Sequence, residues 1–313
     1  MQLSLRFVLS ALAVASVAQV SAAPLGGFDL SAFDLPDPGD VIAGVQDGVS
    51  SFLGQFGPGP SGGGGRSKLG LAWANKNGIP INNFQNPKVS WYYSWEATPG
   101  WNNAPTDIAF CPMLWGERNV DSFRQNVVEN PDGPYNQARC ILGMNEVNQR
   151  GQSDMSPQTA CNLMRTYVIP MKYTHGFYIV SPVTTNAPSG QQWMDEFRAT
   201  CPDVFASIDA MAIHYYATSV SNFQQYVSNW NTRYGKPIWV TEYACQNFNG
   251  GAQCSQTQAN IFHTTMAAWF DTQPYVQAYA PFGVMHNLQG VDNVNSLASG
   301  DNPSFLFNAI SAA

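Results

Sequence analysis

The sequence has few charged residues, and positive ones are the scarcer kind. Only 11% of its 313 residues are charged, with 14 Lys and Arg against 21 Asp and Glu, which gives a formal net charge of −7. A nucleic-acid-binding surface needs basic side chains that displace counterions from phosphates, and an anionic membrane surface attracts basic segments in the same way. We therefore expect neither nucleic acid nor a membrane as a partner.

Metal-binding spacings are also missing. The six cysteines and four histidines form no CxxC or HxxxH pattern, so we predict neither a metal nor another cofactor. Six cysteines suit an oxidising compartment, although spacing alone leaves many pairings open. The favoured pair is Cys245–Cys254, which closes a short loop. The other two pairs considered are Cys161–Cys201 between helices and Cys111–Cys140 between strands.

The first 67 residues differ in character from the rest of the chain. Residues 1–23 contain a basic residue, an apolar run and a small-residue end, which is the pattern of a secretory signal peptide. No later apolar run is long enough to cross a bilayer. Residues 24–67 form a low-complexity segment that ends in a Gly/Pro-rich tether. We predict a secreted protein, extracellular or in a cell wall, with one catalytic domain over residues 68–313.

Hydrophobic residues make up 44% of the chain and aromatic residues 13%, including nine Trp. A low-charge surface rich in aromatic rings suits a neutral polysaccharide, because a sugar presents both an apolar face and hydroxyl groups. We expect a polysaccharide or oligosaccharide as the partner and a monomer as the default assembly.

Apolar runs alternate with helix-like stretches from residue 68 onward. Eight such alternations in one domain predict an α/β fold, a single (β/α)8 TIM barrel. The predicted strands are residues 69–74, 89–95, 108–114, 140–144, 177–183, 210–216, 238–243 and 279–286. The predicted helices are residues 121–129, 157–173, 190–200, 221–234, 255–271 and 303–313.

Four local signals refine that pattern. Ser156 is the expected cap of the helix that begins at Pro157, and Pro170 should kink or shorten that helix. Gly235 should end the helix over residues 221–234. Residues 97–106 contain two prolines and a glycine and should form a loop in place of the second helix.

Two acids stand at the ends of buried strands. Glu146 follows the fourth apolar run and Glu242 ends the seventh, and Gly143 should allow a close backbone approach beside the first. Because the carboxyl ends of barrel strands meet at one rim, we predict that these glutamates form a catalytic pair for glycoside hydrolysis. The alternative is that each acid pairs with an arginine or caps a loop.

Amide, imidazole and aromatic side chains crowd the same predicted rim. His214 follows an apolar run, so a hydrogen-bonded core histidine is a competing interpretation. Glu96, Glu117, His286 and Asn287 also lie near the rim. The predicted substrate-binding residues are Trp73, Tyr93, Trp95, Trp115, Asn145, Asn148, His214 and Tyr216.

The segments around both acids resemble those of a known enzyme group. Residues 143–146 (Gly-Met-Asn-Glu) and 239–243 (Trp-Val-Thr-Glu-Tyr) are similar to clan A of the glycoside hydrolases. Residues 110–115, 143–148 and 209–216 further resemble the glycosyl hydrolase catalytic core of glycoside hydrolase family 128. This resemblance implies a retaining endo-β-1,3-glucanase.

The resemblance also implies roles for individual residues. Glu146 would be the acid/base and Glu242 the nucleophile, Asn145 would hold the sugar 2-hydroxyl, and Tyr216 or His214 would brace the nucleophile. Many clan members have a tryptophan at the end of strand eight, whereas residues 284–287 here read Val-Met-His-Asn. The candidates for the floor of the sugar site are then Trp73, Trp95 and Trp115.

The sequence is also consistent with two other functions. A barrel could bind cell-wall glucan without cleaving it, and the same chemistry could serve β-1,4 or β-1,6 linkages. The sequence itself does not distinguish endo from exo cleavage, because loop heights around the cleft decide it.

Overall fold

The computed structural model describes residues 67–74, 78–100 and 108–313. The predicted signal peptide, nearly all of the low-complexity segment and part of the loop over residues 97–106 lie outside these ranges. Among the described residues, no helix has both the length and the apolar character needed to cross a membrane.

Eight parallel strands close into a ring. β1 pairs with β2 and β8, β2 with β3, β4 with β5, and β7 with β6 and β8. Single parallel bridges, Met113 to Leu142 and Val180 to Ala210, join the remaining neighbours. The predicted (β/α)8 barrel is confirmed. The strands are β1 Leu69–Ala72, β2 Val89–Tyr93, β3 Ala109–Phe110, β4 Cys140–Leu142, β5 Tyr178–Val180, β6 Met211–Ala217, β7 Ile238–Cys245 and β8 Val276–Tyr279.

Helices follow most of the strands and cover the outside of the barrel. They are α1 Val120–Phe123, α2 Pro157–Leu163, α3 Ile169–His175, α4 Pro188–Thr200, α5 Pro202–Ser207, α6 Val220–Tyr234, α7 Gln256–Thr272 and α8 Phe305–Ala312. Short 3₁₀ turns span Ile81–Phe84, Glu117–Asn119 and Asn293–Asn295, and α1 continues as a π-helical turn over Arg124–Val128.

The expected helix start at Ser156 and the expected helix stop at Gly235 are both observed. The Ser156 side chain accepts a hydrogen bond from the backbone of Thr159 and caps α2. Gly235 ends α6 with a left-handed φ of 64°. Around Pro170 the helix is not cut short: a π-helical turn over Met164–Val168 connects α2 to α3, and such a turn relieves a disturbed hydrogen-bond ladder.

The eighth strand and the chain around it differ from prediction. β8 covers Val276–Tyr279, so the apolar run over residues 279–286 lies mostly beyond the strand. His286 and Asn287 therefore do not stand at the end of a barrel strand, and His286 instead pairs with Asp301 at 3.3 Å. A small antiparallel hairpin, β9 Ala298–Ser299 and β10 Asn302–Pro303, was also not predicted.

Three disulfides link elements of the barrel, and all three considered pairings are confirmed. Cys161–Cys201 joins α2 to the residue after α4, and Cys245–Cys254 joins the end of β7 to the segment before α7. Cys111–Cys140 joins the residue after β3 to the first residue of β4.

Aromatic side chains fill both the barrel interior and the layer under the helices. Inside the barrel, Trp91 and Trp239 lie 4.9 Å apart, and Gly70 leaves room for the indole of Trp91 because a Cβ there would lie 2.2 Å from it. Trp230 of α6 is buried in the outer layer.

His263 is a buried histidine that fastens the end of β7. Its Nε2 lies 2.9 Å from Oδ1 of Asn295. The same Asn295 oxygen accepts from the backbone N–H of Cys245, and its amide donates to the Cys245 carbonyl. Burial lowers the pKa of His263 from 6.5 to about 4.

This histidine predicts an acid-dependent loss of stability. The unfolded chain binds the His263 proton near pH 6.5 and the folded chain only near pH 4, so folding loses stability as pH falls through that window. The expected loss is about 3 kcal/mol. Denaturant unfolding at a series of pH values should show that His263→Gln lacks this component. Parallel pH profiles for the two proteins would contradict the prediction.

Candidate active site

Glu146 lies just beyond β4 in a strained turn. Its φ of 42° is in the left-handed region, which is unfavourable for a residue with a side chain and often marks a functional site. The turn is fixed by backbone hydrogen bonds from Asn145 to Trp115 and from Val147 to Val183. Gly143 permits the predicted close approach, since a Cβ there would lie 2.5 Å from the backbone nitrogen of Pro182.

Glu242 lies within β7, opposite His214 of β6 in the parallel register. Its side chain is 7% exposed. One carboxylate oxygen accepts from the indole N–H of Trp95 at 2.8 Å, and the other accepts from the hydroxyl of Tyr216 at 2.6 Å. Both donors stabilise the ionised carboxylate.

His214 is fully buried between the two acids. Its Nδ1 lies 3.0 Å from an oxygen of Glu146 and 3.4 Å from an oxygen of Glu242. Burial lowers the pKa of His214, but the two neighbouring carboxylates more than offset this effect and leave it raised. His214 is therefore a buried core histidine that also belongs to the site, since it contacts both acids. The two alternatives predicted from the sequence, a core histidine and a site residue, both hold.

The two glutamates meet as the barrel geometry predicts. Ligand-type oxygens of Glu146 and Glu242 and a nitrogen of His214 all lie within 4.8 Å of one another, which is also close enough to hold a metal ion. Burial raises the pKa of Glu242, the charge of His214 opposes this, and the charge of Glu146 adds to it. Carboxylates this close fit the spacing of a retaining pair, about 5–5.5 Å, better than the wider inverting spacing.

Trp95 and Tyr216 are the predicted substrate residues that line the acid pair. Trp95 has a left-handed φ of 58°, which turns its indole toward Glu242. Tyr93 lies behind them: it is fully buried, and its hydroxyl donates to the carbonyl of Thr241 at 2.9 Å. Tyr93 therefore supports the site from within the barrel and presents no surface to a sugar.

The other predicted aromatic platforms do not fit the structure. Trp73 is 1% exposed, and its indole N–H donates to the carbonyl of Ile79, so no ring face is available to a sugar. Trp115 is 8% exposed, and the guanidinium of Arg118 lies over its ring at 3.5 Å from the centroid.

Both predicted asparagines donate to protein side chains, while the buried Oδ1 of Asn145 has no hydrogen-bond partner among the described residues. The amide nitrogen of Asn145 donates to Gln152 at 3.1 Å, and Asn145 is 3% exposed. Asn148 joins two loops through hydrogen bonds with Thr185 and Ser189. Asn145 stays beside the acid pair, whereas Asn148 has a structural role. Of the rim acids, Glu96 contacts Asn119 and Arg118 and does not reach the pair.

Two phenylalanines at the site were not predicted. Phe282 follows β8, and its ring centroid lies 5.8 Å from that of Trp95 and 5.9 Å from that of Tyr216. Phe282 was missed because the eighth strand was placed too late in the sequence. Phe248 lies 5.4 Å from Tyr216, and the available signal was an aromatic residue inside the loop closed by Cys245–Cys254.

Comparisons with known proteins agree with this geometry. The family model described as glycosyl hydrolase catalytic core matches residues 70–309. Alkali-sensitive linkage protein 1 of Schizosaccharomyces pombe is 28% identical over 236 residues, covering 74% of this chain. The match spans only 42% of the length of that relative.

Solved structures show the same barrel. A GH128 subgroup III curdlan-specific exo-β-1,3-glucanase from Blastomyces gilchristii, in complex with glucose, is 27% identical with a TM-score of 0.64, covering 79% of this chain and 98% of that chain. A GH128 subgroup I endo-β-1,3-glucanase from Amycolatopsis mediterranei, in complex with laminaritriose, is 25% identical with a TM-score of 0.63, covering 79% and 99%. The chain belongs to the glycosyl hydrolase catalytic-core family, and both of these solved structures are GH128 enzymes.

Proposed function

We propose that this protein is a secreted enzyme that hydrolyses β-1,3-glucan with retention, using Glu242 as nucleophile and Glu146 as acid/base. The observation that carries the assignment is the unequal hydrogen bonding of the two acids. Trp95 and Tyr216 both donate to Glu242, which favours its ionised form against the opposing effect of burial. Glu146 accepts from His214 alone among the described side chains.

The geometry supports a double displacement. A Glu242 oxygen attacks the anomeric carbon while the glycosidic oxygen leaves with the proton of Glu146, which forms a glycosyl ester. Glu146 then takes a proton from water, whose oxygen attacks the same carbon and releases Glu242. The negative charge thus moves from Glu242 to Glu146 and back. His214 contacts both carboxylates and can stabilise whichever one is charged.

The choice of β-1,3-glucan as substrate rests on the names and ligands of similar solved structures. The two solved neighbours are named as β-1,3-glucanases, one exo and one endo, and were crystallised with glucose and laminaritriose. The low-charge chain and the aromatic rings around the acids suit a neutral glucan. Secretion is supported by six cysteines that all form disulfides.

A linkage panel tests this function. We expect the purified protein to release reducing sugar from laminarin and curdlan at least about tenfold faster than from pustulan or cellulose, since a subsite geometry that misplaces the scissile bond loses rate steeply. The released sugars, separated by chromatography, would distinguish exo from endo cleavage. Faster release from pustulan or cellulose would show that the enzyme prefers β-1,6 or β-1,4 linkages and would overturn the β-1,3 assignment. Binding of laminarin without release would favour a non-catalytic glucan-binding barrel.

A further inference from the structure

Phe248 is an aromatic side chain that the mechanism does not use and that faces solvent. It is 58% exposed, and of the described large apolar residues only Phe305, at 77%, is more exposed. One exposed phenylalanine is common on protein surfaces and carries no meaning alone. Two further observations indicate a function for Phe248: its position next to the active site and the order of its loop.

Phe248 packs against Tyr216, a residue of the candidate active site. Its ring centroid is 5.4 Å from that of Tyr216, with the planes tilted at 59°. The hydroxyl of Tyr216 in turn donates to Glu242 at 2.6 Å. Phe248 is therefore one side chain further out than the group that contacts the proposed nucleophile. A sugar chain that extends from the reacting unit in this direction meets the exposed ring.

The loop that carries Phe248 is already ordered. Backbone groups of Asn247 bond to the side chain of Gln253 in both directions, at 2.9 and 2.7 Å. The N–H of Asn249, on the other side of Phe248, donates to the Asn247 side chain at 2.8 Å. The Cys245–Cys254 disulfide closes the loop at its base. A platform fixed in this way loses little conformational entropy when it binds a ligand.

We propose that Phe248 is the binding platform for a glucosyl unit adjacent to the one that reacts. The axial C–H groups of a β-glucosyl ring form an apolar face that would pack on the phenyl ring of Phe248, next to Tyr216. The inference rests on the proposed glucanase function and adds to it a subsite that favours chains over short oligosaccharides.

The test compares substrates of different length. We expect Phe248→Ala to lower the ratio of kcat/KM for laminarihexaose to kcat/KM for the shortest laminari-oligosaccharide cleaved, by about fivefold to tenfold. Phe248→Trp should retain the wild-type ratio. Phe305→Ala removes a still more exposed phenylalanine, at the start of α8, and should also retain the ratio. A decline of the same size for both lengths would show a structural role only and overturn the proposal.

A binding measurement separates this inference from the proposed function. In the Glu242→Gln background, calorimetry with laminarihexaose should show about fivefold to tenfold weaker binding when Phe248→Ala is added. Equal affinity of the two proteins would overturn the platform even if the wild type cleaves glucan. If the wild type cleaves no glucan at all, the glucanase proposal fails, and the affinity difference still decides the role of Phe248.

Discussion

Replacing Glu242 with glutamine should lower kcat on laminarin by at least about 10⁴-fold, the largest effect expected from any single substitution in this protein. Glutamine has the shape of glutamate and can still contact Trp95 or Tyr216, but its amide cannot form a glycosyl ester. Initial rates of reducing-sugar release, with circular dichroism to verify folding, measure the effect. Glu196→Gln on the exposed face of α4 is the matched control and should retain the wild-type rate.

Azide distinguishes a missing nucleophile from a distorted site. In Glu242→Gly the removed side chain leaves room for azide to attack the anomeric carbon from the face that Glu242 would use. Activity on an aryl glycoside should then partly return, with an α-glycosyl azide as product. A β-glycosyl azide from this variant would reverse the roles of the two glutamates. No azide product and a kcat within tenfold of wild type would remove Glu242 from the reaction.

The sequence predicted the barrel and the acid pair because both depend on strongly local patterns. Buried parallel strands read as continuous apolar runs, and a carboxylate that ends such a run must lie at the rim of the barrel. The proximity of Glu146 and Glu242 follows from ring closure, which brings distant strands together. The three disulfide pairings could also be proposed from the sequence, because each joins segments that are neighbours in a barrel.

The sequence could not predict which aromatic rings face the cleft. Trp73 and Trp95 each follow a barrel strand, yet Trp73 is buried and Trp95 contacts Glu242. The difference arises from backbone geometry, because Trp95 has a positive φ that redirects its side chain. No pattern in the sequence predicts that conformation. Phe282 was missed for a different reason: β8 ends at Tyr279, seven residues before the predicted end of the strand, and this changes which side chains reach the rim.

His214 links the two acids in a way that no single segment of the sequence reveals. Glu146 follows β4, His214 lies in β6 and Glu242 lies in β7, and the contacts depend on a shift in the register between Ile213 and His214. One buried imidazole beside two carboxylates can hold a positive charge while the negative charge moves between them. The loss of either glutamate should therefore affect the remaining one, and the effects of double substitutions at this site should not be additive.

Replacing Glu146 with glutamine should affect substrates according to how much their leaving group needs a proton. On laminarin we expect kcat to fall by about 10²- to 10⁴-fold, because the departing sugar oxygen must be protonated. An activated aryl glycoside leaves as a stable phenolate, so its glycosylation step should be nearly as fast as in the wild type, with the ester accumulating as a burst. Stopped-flow release of the phenolate measures that burst. Azide should speed turnover of this variant and yield a β-glycosyl azide, since the ester on Glu242 is attacked from the opposite face. Equal losses on both substrates, without a burst, would mean that Glu146 does not supply the proton and that the assignment of the pair must be revised.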